Sequence, residues 1–280
     1  YKATERGKLD IDRHYAQYIE KDQEKVLDIL HQIAEKYPKE TGPHYTLGYY
    51  YHSRDPNRAI EEYKKALELN PDHWNAHNQI GYLYLDRKNY EKAVGHFQKY
   101  VDLNPTDANP LDSLAEAYYR MGRLDEAIAK YKEALKIKPD FFQTLRSLSY
   151  VFALKENYAQ ALQNINQCIN LASSSGYKST GYLLRALYYF WIGQIEKSLL
   201  DLRKTENIVK DAGDYARYVF INQFKAWIYY EKGDFELSRK YNQDSLKFAA
   251  NLSNESRDYY EFAHLTISAF VDLKQGQLSS

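Results

Sequence analysis

The chain has one cysteine, one methionine, 7 prolines and 12 glycines in 280 residues, and 38 basic side chains balance 38 acidic ones. Each scarcity excludes something. A lone Cys168 rules out an intramolecular disulfide framework and fits a reducing compartment, so the expectation is a cytoplasmic chain. Balanced charge argues against nucleic acid as a partner, because neutralising phosphates needs an excess of Lys and Arg. No uninterrupted apolar run approaches the roughly 18 residues of a membrane span. The most apolar stretch, 182–192, is too short and contains Arg185. No segment has the pattern of a secretory signal. There is no glycine-rich phosphate loop, no G-x-S-x-G and no Cys–His pair in a recognisable context. The expectation is a chain that is not an enzyme and carries no cofactor.

The few prolines present are placed periodically. Pro38, Pro71, Pro105 and Pro139 follow one another at intervals of 33, 34 and 34 residues. Between them one pattern recurs. Leu47-Gly48 is followed by Tyr51, Ala59, Tyr63, Ala66 and Pro71; Ile80-Gly81 by Tyr84, Ala93, Phe97, Tyr100 and Pro105; Leu114-Ala115 by Tyr118, Ala127, Tyr131, Ala134 and Pro139. An internal repeat of this length means a solenoid of supersecondary units, each burying its apolar face on its neighbours. The pattern L-G-x-x-Y, A-x-x-x-F/Y, P resembles the tetratricopeptide repeat. The resemblance implies an all-α chain, a right-handed superhelical solenoid of antiparallel helix pairs, and a role in binding other proteins.

Within each unit, apolar residues at three- and four-residue spacing, such as Ile60, Tyr63, Ala66 and Leu67, predict two amphipathic helices. Asp72, Thr106-Asp107 and Asp140 stand where the next helix should start. Residues 1–40 read as a degenerate unit, with a first helix over about 9–19 and a second over about 23–37. Residues 41–172 read as four regular repeats. After residue 173 the turn glycines Gly193, Gly233 and Gly276 are 40 and 43 residues apart, predicting longer, divergent units and about seven in all. The sequence opens on Tyr1 and stops at Ser280, just after Gly276, where an earlier unit would begin its second helix. The expectation is a fragment of a longer protein. The last helix, about 258–273, would then leave Phe262, Leu265 and Phe270 without cover and favour self-association.

Two helices approach closely only where side chains are small. Gly48, Gly81, Ala115, Ser149, Ala186 and Ala226 take that slot in the first helices; Ala59, Ala93, Ala127, Ala161, Ser198 and Ser238 take it in the second. Tyr100 departs from its counterparts Ala66, Ala134 and Cys168. Its bulk should either spread neighbouring units or send its hydroxyl outward. Cys168 reads as a buried, inert thiol.

In the family that the chain resembles, the first helices line the concave face. Counting from the small slot, that face would present Tyr45, Asn78, Asp112, Arg146 and Gln223; then Tyr49, Tyr82, Glu116, Tyr150 and Trp227; then Tyr119 and Tyr230. Tyr and Trp suit a binding surface because they bring apolar area, a polar handle and little entropy cost. Asn78 and Gln223 have the chemistry to bond an extended peptide. Some relatives clamp a C-terminal carboxylate with Lys, Asn and Arg. Here Tyr45, Tyr49, Tyr82 and Glu116 stand in those places, and Asp112 and Glu116 repel an acidic tail. His73 and His77, four apart on a helix, lack the Glu of H-E-x-x-H and an evident third ligand, so no metal site is expected. The function expected is an interaction scaffold holding a protein or peptide segment over residues 41–160. The alternative is a regulatory or sensor segment of a larger bacterial signalling protein, which rests on analogy.

Overall fold

The computed structural model describes residues 4–276, and among these every regular element is helical. The chain divides into two compact units, Tyr1–Pro139 and Asp140–Ser280.

Unit 1 runs α1 (Glu5–Tyr15), a π-helical turn (Ala16–Glu20), α2 (Gln23–Lys36), α3 (Thr41–Tyr51), α4 (Pro56–Leu69), α5 (Trp74–Asp86), α6 (Tyr90–Leu103), α7 (Ala108–Arg120) and α8 (Leu124–Ile137). Unit 2 runs α9 (Phe142–Leu154), α10 (Tyr158–Leu171), α11 (Ser175–Trp191), α12 (Ile195–Ala212), α13 (Tyr215–Glu231), α14 (Phe235–Ala249) and α15 (Asn254–Lys274). Helices α5 to α10 have 13 or 14 residues, whereas α11 to α14 have 15 to 18, so the lengthening read from the glycine spacing lies in the helices themselves.

One turn geometry closes five of the hairpins. Asn89, Arg123, Asn157, Gln194 and Asp234 donate their backbone N–H to the carbonyls of Tyr84, Tyr118, Phe152, Tyr189 and Tyr229 at 2.8–2.9 Å. This is the bond of a helix C-terminal turn that needs one left-handed residue. Gly122, Gly193 and Gly233 supply it at φ between 73° and 77°, while Lys88 and Glu156 adopt it at φ 58° and 57°. That choice costs a side-chain-bearing residue about 1 kcal/mol.

Two expected helix starts move. Asp107 does cap α7, accepting from the Asn109 N–H at 3.0 Å. Helix α5, however, begins at Trp74, so the cap position falls on His73, whose Nδ1 accepts from the Ala76 N–H at 3.2 Å. Helix α9 begins at Phe142 and has no side-chain cap. Asp72 and Asp140 stand one residue too early for a cap, which must directly precede the first helical residue. The first helix also starts before the expected residue 9, because Thr4 caps it by accepting from Gly7 N–H.

In unit 1 the core runs through Leu47, Ile80 and Leu114 of the first helices and Tyr63 and Phe97 of the second, all fully buried. A Cβ built on Gly48 would come within 2.6 Å of the Tyr63 ring, and one on Gly81 within 2.6 Å of Phe97, so these slots admit only hydrogen. Tyr100 does not turn outward. Only 4% exposed, its ring stacks on Trp74 of the same helix pair at 5.5 Å. Burial pushes its hydroxyl up to about 12. In unit 2, Cys168 is fully buried and its thiol donates to the Phe142 carbonyl at 3.8 Å. Burial pushes it up to about 12, so no reactive thiolate forms near neutrality.

Candidate functional site

The first helices of unit 1 position seven of the side chains singled out in the sequence, and they divide by what they touch. Tyr45 is half-buried, stacked on His73 at 4.7 Å and tilted against Tyr63 at 5.6 Å. Tyr82 packs edge-on to Phe97 at 5.0 Å, and its hydroxyl shares a 3.0 Å hydrogen bond with Ser113 Oγ. The Ser113 hydroxyl also lies 3.4 Å from Asn78 Oδ1, so Asn78, Tyr82 and Ser113 form one polar chain across α5 and α7. Burial raises the Tyr82 hydroxyl to about 12. Glu116 pairs with Arg120 at 3.3 Å, and Arg120 also meets Asp86 at 3.0 Å. Asp112 and Tyr119 are half-buried. Tyr49 differs from all of these: it is 65% exposed, and Tyr50 lies edge-on to it at 6.3 Å.

Tyr49 borders an open cleft that the sequence alone does not reveal. A space of about 450 Å³ is lined by Gln17, Tyr18, Lys21, Gln23, Val26, Tyr49 and Tyr50. A second, of about 380 Å³, shares Gln23, Tyr49 and Tyr50 and adds His52, Ser53, Arg54 and Gln79. The cleft exists because the π turn Ala16–Glu20 ends at Lys21 in a left-handed conformation, φ 56°, which reverses the chain before α2. Buried Ala16 packs that turn against the core and leaves Tyr18 outside, 65% exposed. No acidic side chain lines either space, and Arg54 is held by Gln23 Oε1. The degenerate first unit hid these residues, since it lacks the Leu-Gly pair from which positions are counted. Small Ala16 followed by Tyr18 is the signal that marks them.

In unit 2, Arg146 is exposed and Tyr150 half-buried. Gln223 is only 8% exposed and donates its amide to the Tyr260 carbonyl at 2.9 Å. Trp227 and Tyr230 lie 5.4 Å apart and both meet Phe270, at 5.8 and 6.1 Å. Helix α15 therefore engages all three.

His73 and His77 do not face one another as a pair. His73 caps α5, while His77 Nδ1 lies 3.0 Å from His96 Nδ1 on α6 and its Nε2 donates to the Pro71 carbonyl at 3.1 Å. Burial, then the His77 ring and Lys64, bring His96 down to about 4. Among the described residues no group of three or more His, Cys, Asp or Glu side chains could hold a metal ion. Nor is any described helix long and apolar enough to cross a membrane.

The helix pairs, the small-on-aromatic slots and the repeated turn coincide with two family matches, Tetratricopeptide repeat over residues 49–108 and TPR repeat over residues 115–156. The chain carries a tetratricopeptide repeat array. Solved structures with the same fold include MamA, residues 41 to the end, from Desulfovibrio magneticus RS-1, 22% identical, covering 61% of this chain and 97% of that one at a TM-score of 0.54. PilF of Pseudomonas aeruginosa is 16% identical over 71% of this chain and 89% of its own, at 0.58. No curated protein matches the sequence. At such identities the likeness is one of tetratricopeptide fold alone.

Proposed function

We propose that this chain is a non-catalytic protein-interaction module that holds a segment of a partner protein on the first-helix face of unit 1, in the cleft beside Tyr49. Tetratricopeptide arrays generally mediate protein–protein contacts. The observation that carries the proposal is that two exposed aromatics, Tyr18 and Tyr49, each 65% exposed, line one cleft together with Gln17 and Gln23. Rigid aromatics with nearby amide groups bury apolar area and bond a peptide backbone at low entropic cost. Asn78, Tyr82, Asp112, Glu116 and Tyr119 extend the same helix face. Tyr82 is a poor probe of binding, because its ring and hydroxyl already serve the packing on Phe97 and Ser113.

The test is Tyr18→Ala with Tyr49→Ala, compared with the parent chain in capture from source lysate and then with each purified captured protein. A partner whose affinity falls about tenfold or more, at unchanged helicity, supports the cleft. Equal binding by the folded variant overturns it.

We further propose self-association through α15, where Phe262 and Leu265 are 72% and 65% exposed beside Tyr259 and Leu273. A chain without net charge opposes such contacts weakly. Sedimentation should show a concentration-dependent dimer that Phe262→Glu with Leu265→Glu abolishes; a strictly monomeric parent chain would remove the idea.

A further inference from the structure

We propose, resting on the interaction reading just given, that the segment held in the cleft beside Tyr49 is acidic: an apolar side chain anchored on the tyrosines, with Asp or Glu residues before and after it. The cleft has two adjoining parts. Gln23, Tyr49 and Tyr50 line both, whereas Lys21 lines only the larger and Arg54 only the smaller. No Asp or Glu lines either part. Each part therefore adds one cation to the tyrosines that the two share. That pattern fits one apolar anchor with a carboxylate for each cation, and it commits the cleft to side-chain carboxylates rather than to a single chain terminus.

The cations are open to a partner. Arg54 is exposed, and its guanidinium is held by the amide oxygen of Gln23, not by a carboxylate. Arg13 donates to Gln17 Oε1 at 3.2 Å and lies 3.9 Å from Asp10. The guanidiniums of Arg13 and Arg54 both lie within electrostatic reach of the Tyr50 hydroxyl. Lys21 is exposed, and the carboxylates next to it in sequence are engaged: Glu20 pairs with Lys25 at 2.8 Å, and Asp22 caps α2 by accepting from the Lys25 N–H at 3.0 Å. Asp55, next to Arg54, caps α4 by accepting from the Asn57 and Arg58 N–H groups at 3.1 Å. Charge of one sign in a recess raises the local concentration of partners of the other sign. A carboxylate meets a guanidinium with two parallel charge-assisted bonds, which an amide oxygen cannot offer, so it displaces Gln23 from Arg54. Farther along the face Asp112 and Glu116 stand on α7, so the acidic stretch ends at the cleft.

The experiment measures binding of short fluorescent peptides, capped at both ends, to the full chain by anisotropy. One has a central Trp flanked by glutamates, a second the same Trp flanked by glutamines, a third the same Trp flanked by lysines. The glutamate peptide should bind about fivefold tighter than the glutamine peptide, the size of effect that two exposed ion pairs give. The difference should vanish in about 1 M salt, where charges are screened within about 3 Å. The lysine peptide should bind most weakly. Lys21→Glu with Arg54→Glu should remove the preference for glutamate at unchanged helicity, whereas Lys136→Glu, on α8, should leave it. The peptide series is read on the unaltered chain, so misfolding of a variant cannot decide the outcome. Equal binding of the glutamate and glutamine peptides, both lost in Tyr18→Ala with Tyr49→Ala, overturns the acidic preference and leaves the cleft standing. Tighter binding of the lysine peptide, or binding of none of the three, also overturns it; the interaction reading is then decided separately by the captured proteins and their dependence on Tyr18 and Tyr49.

Discussion

In unit 1 the closest approaches within a repeat are bare backbone against a ring, Gly48 under Tyr63 and Gly81 under Phe97. In unit 2 the corresponding helix pairs meet through hydroxyls: Ser198 Oγ donates to the Ala186 carbonyl at 2.7 Å and Ser238 Oγ to the Ala226 carbonyl at 2.8 Å. The contrast extends beyond these slots, both within helix pairs and between them. Unit 2 buries Asp201, held bidentately by Arg185 at 2.6 and 2.9 Å and met by Lys204 at 3.1 Å. It also buries Lys225 against Glu206 at 2.5 Å, and Asn242 donates to the His264 carbonyl at 2.9 Å. Unit 1 stacks largely through Leu, Ile, Tyr and Phe. Apolar packing is non-directional and tolerates small shifts, whereas buried polar pairs fix distance and angle and lose heavily when half of a pair is removed. Unit 2 has longer helices and fewer signature residues, and directional bonds take over the alignment that the Gly–aromatic slots provide in unit 1.

The largest effect that would test this contrast is Arg185→Met. It leaves Asp201, 1% exposed, with Lys204 alone, and should destabilise the chain by about 3–5 kcal/mol in denaturant unfolding. A loss below about 1 kcal/mol would show that the unit 2 network is not what holds it. Next comes Gly81→Ala. The added methyl gains about 1 kcal/mol of helix propensity but meets the Phe97 ring, for a net loss of about 1–2 kcal/mol. Phe97→Leu in that background should recover part of it, which a double-mutant cycle measures. Ser198→Ala and Ser238→Ala convert the unit 2 slots to the unit 1 residue. Each should cost about 1 kcal/mol, the worth of one hydrogen bond, and equal stability would mean that the hydroxyls are incidental. The smallest effect concerns Cys168, in the slot that Tyr100 fills in unit 1. With its thiol near 12, it should stay unlabelled by a thiol reagent at pH 8 in the native chain and react fully in denaturant. Fast native labelling would show that the slot opens.

The candidate site was legible only in part. Tyr49 could be found by counting one residue from the Gly48 slot, because helical spacing carries orientation. The same counting gave Tyr82 and Gln223 the same standing as Tyr49, although one is tied to Ser113 and Phe97 and the other to the Tyr260 carbonyl. Tyr18, Lys21 and Gln23 were not found, since the unit that carries them has no signature and its reversal depends on a π turn and a left-handed Lys21.

By itself, the sequence determined the repeat, the helix pairs and the small slots. These follow from local rules: periodicity, turn residues, and the requirement that close helices meet over small side chains. Tertiary structure alone decided which tyrosines remain exposed, that His77 turns to His96 rather than to His73, and that Tyr100 lies under Trp74. These outcomes depend on side chains about 20 or more residues apart in sequence that compete for the same space, and helical spacing within one segment cannot rank such contacts.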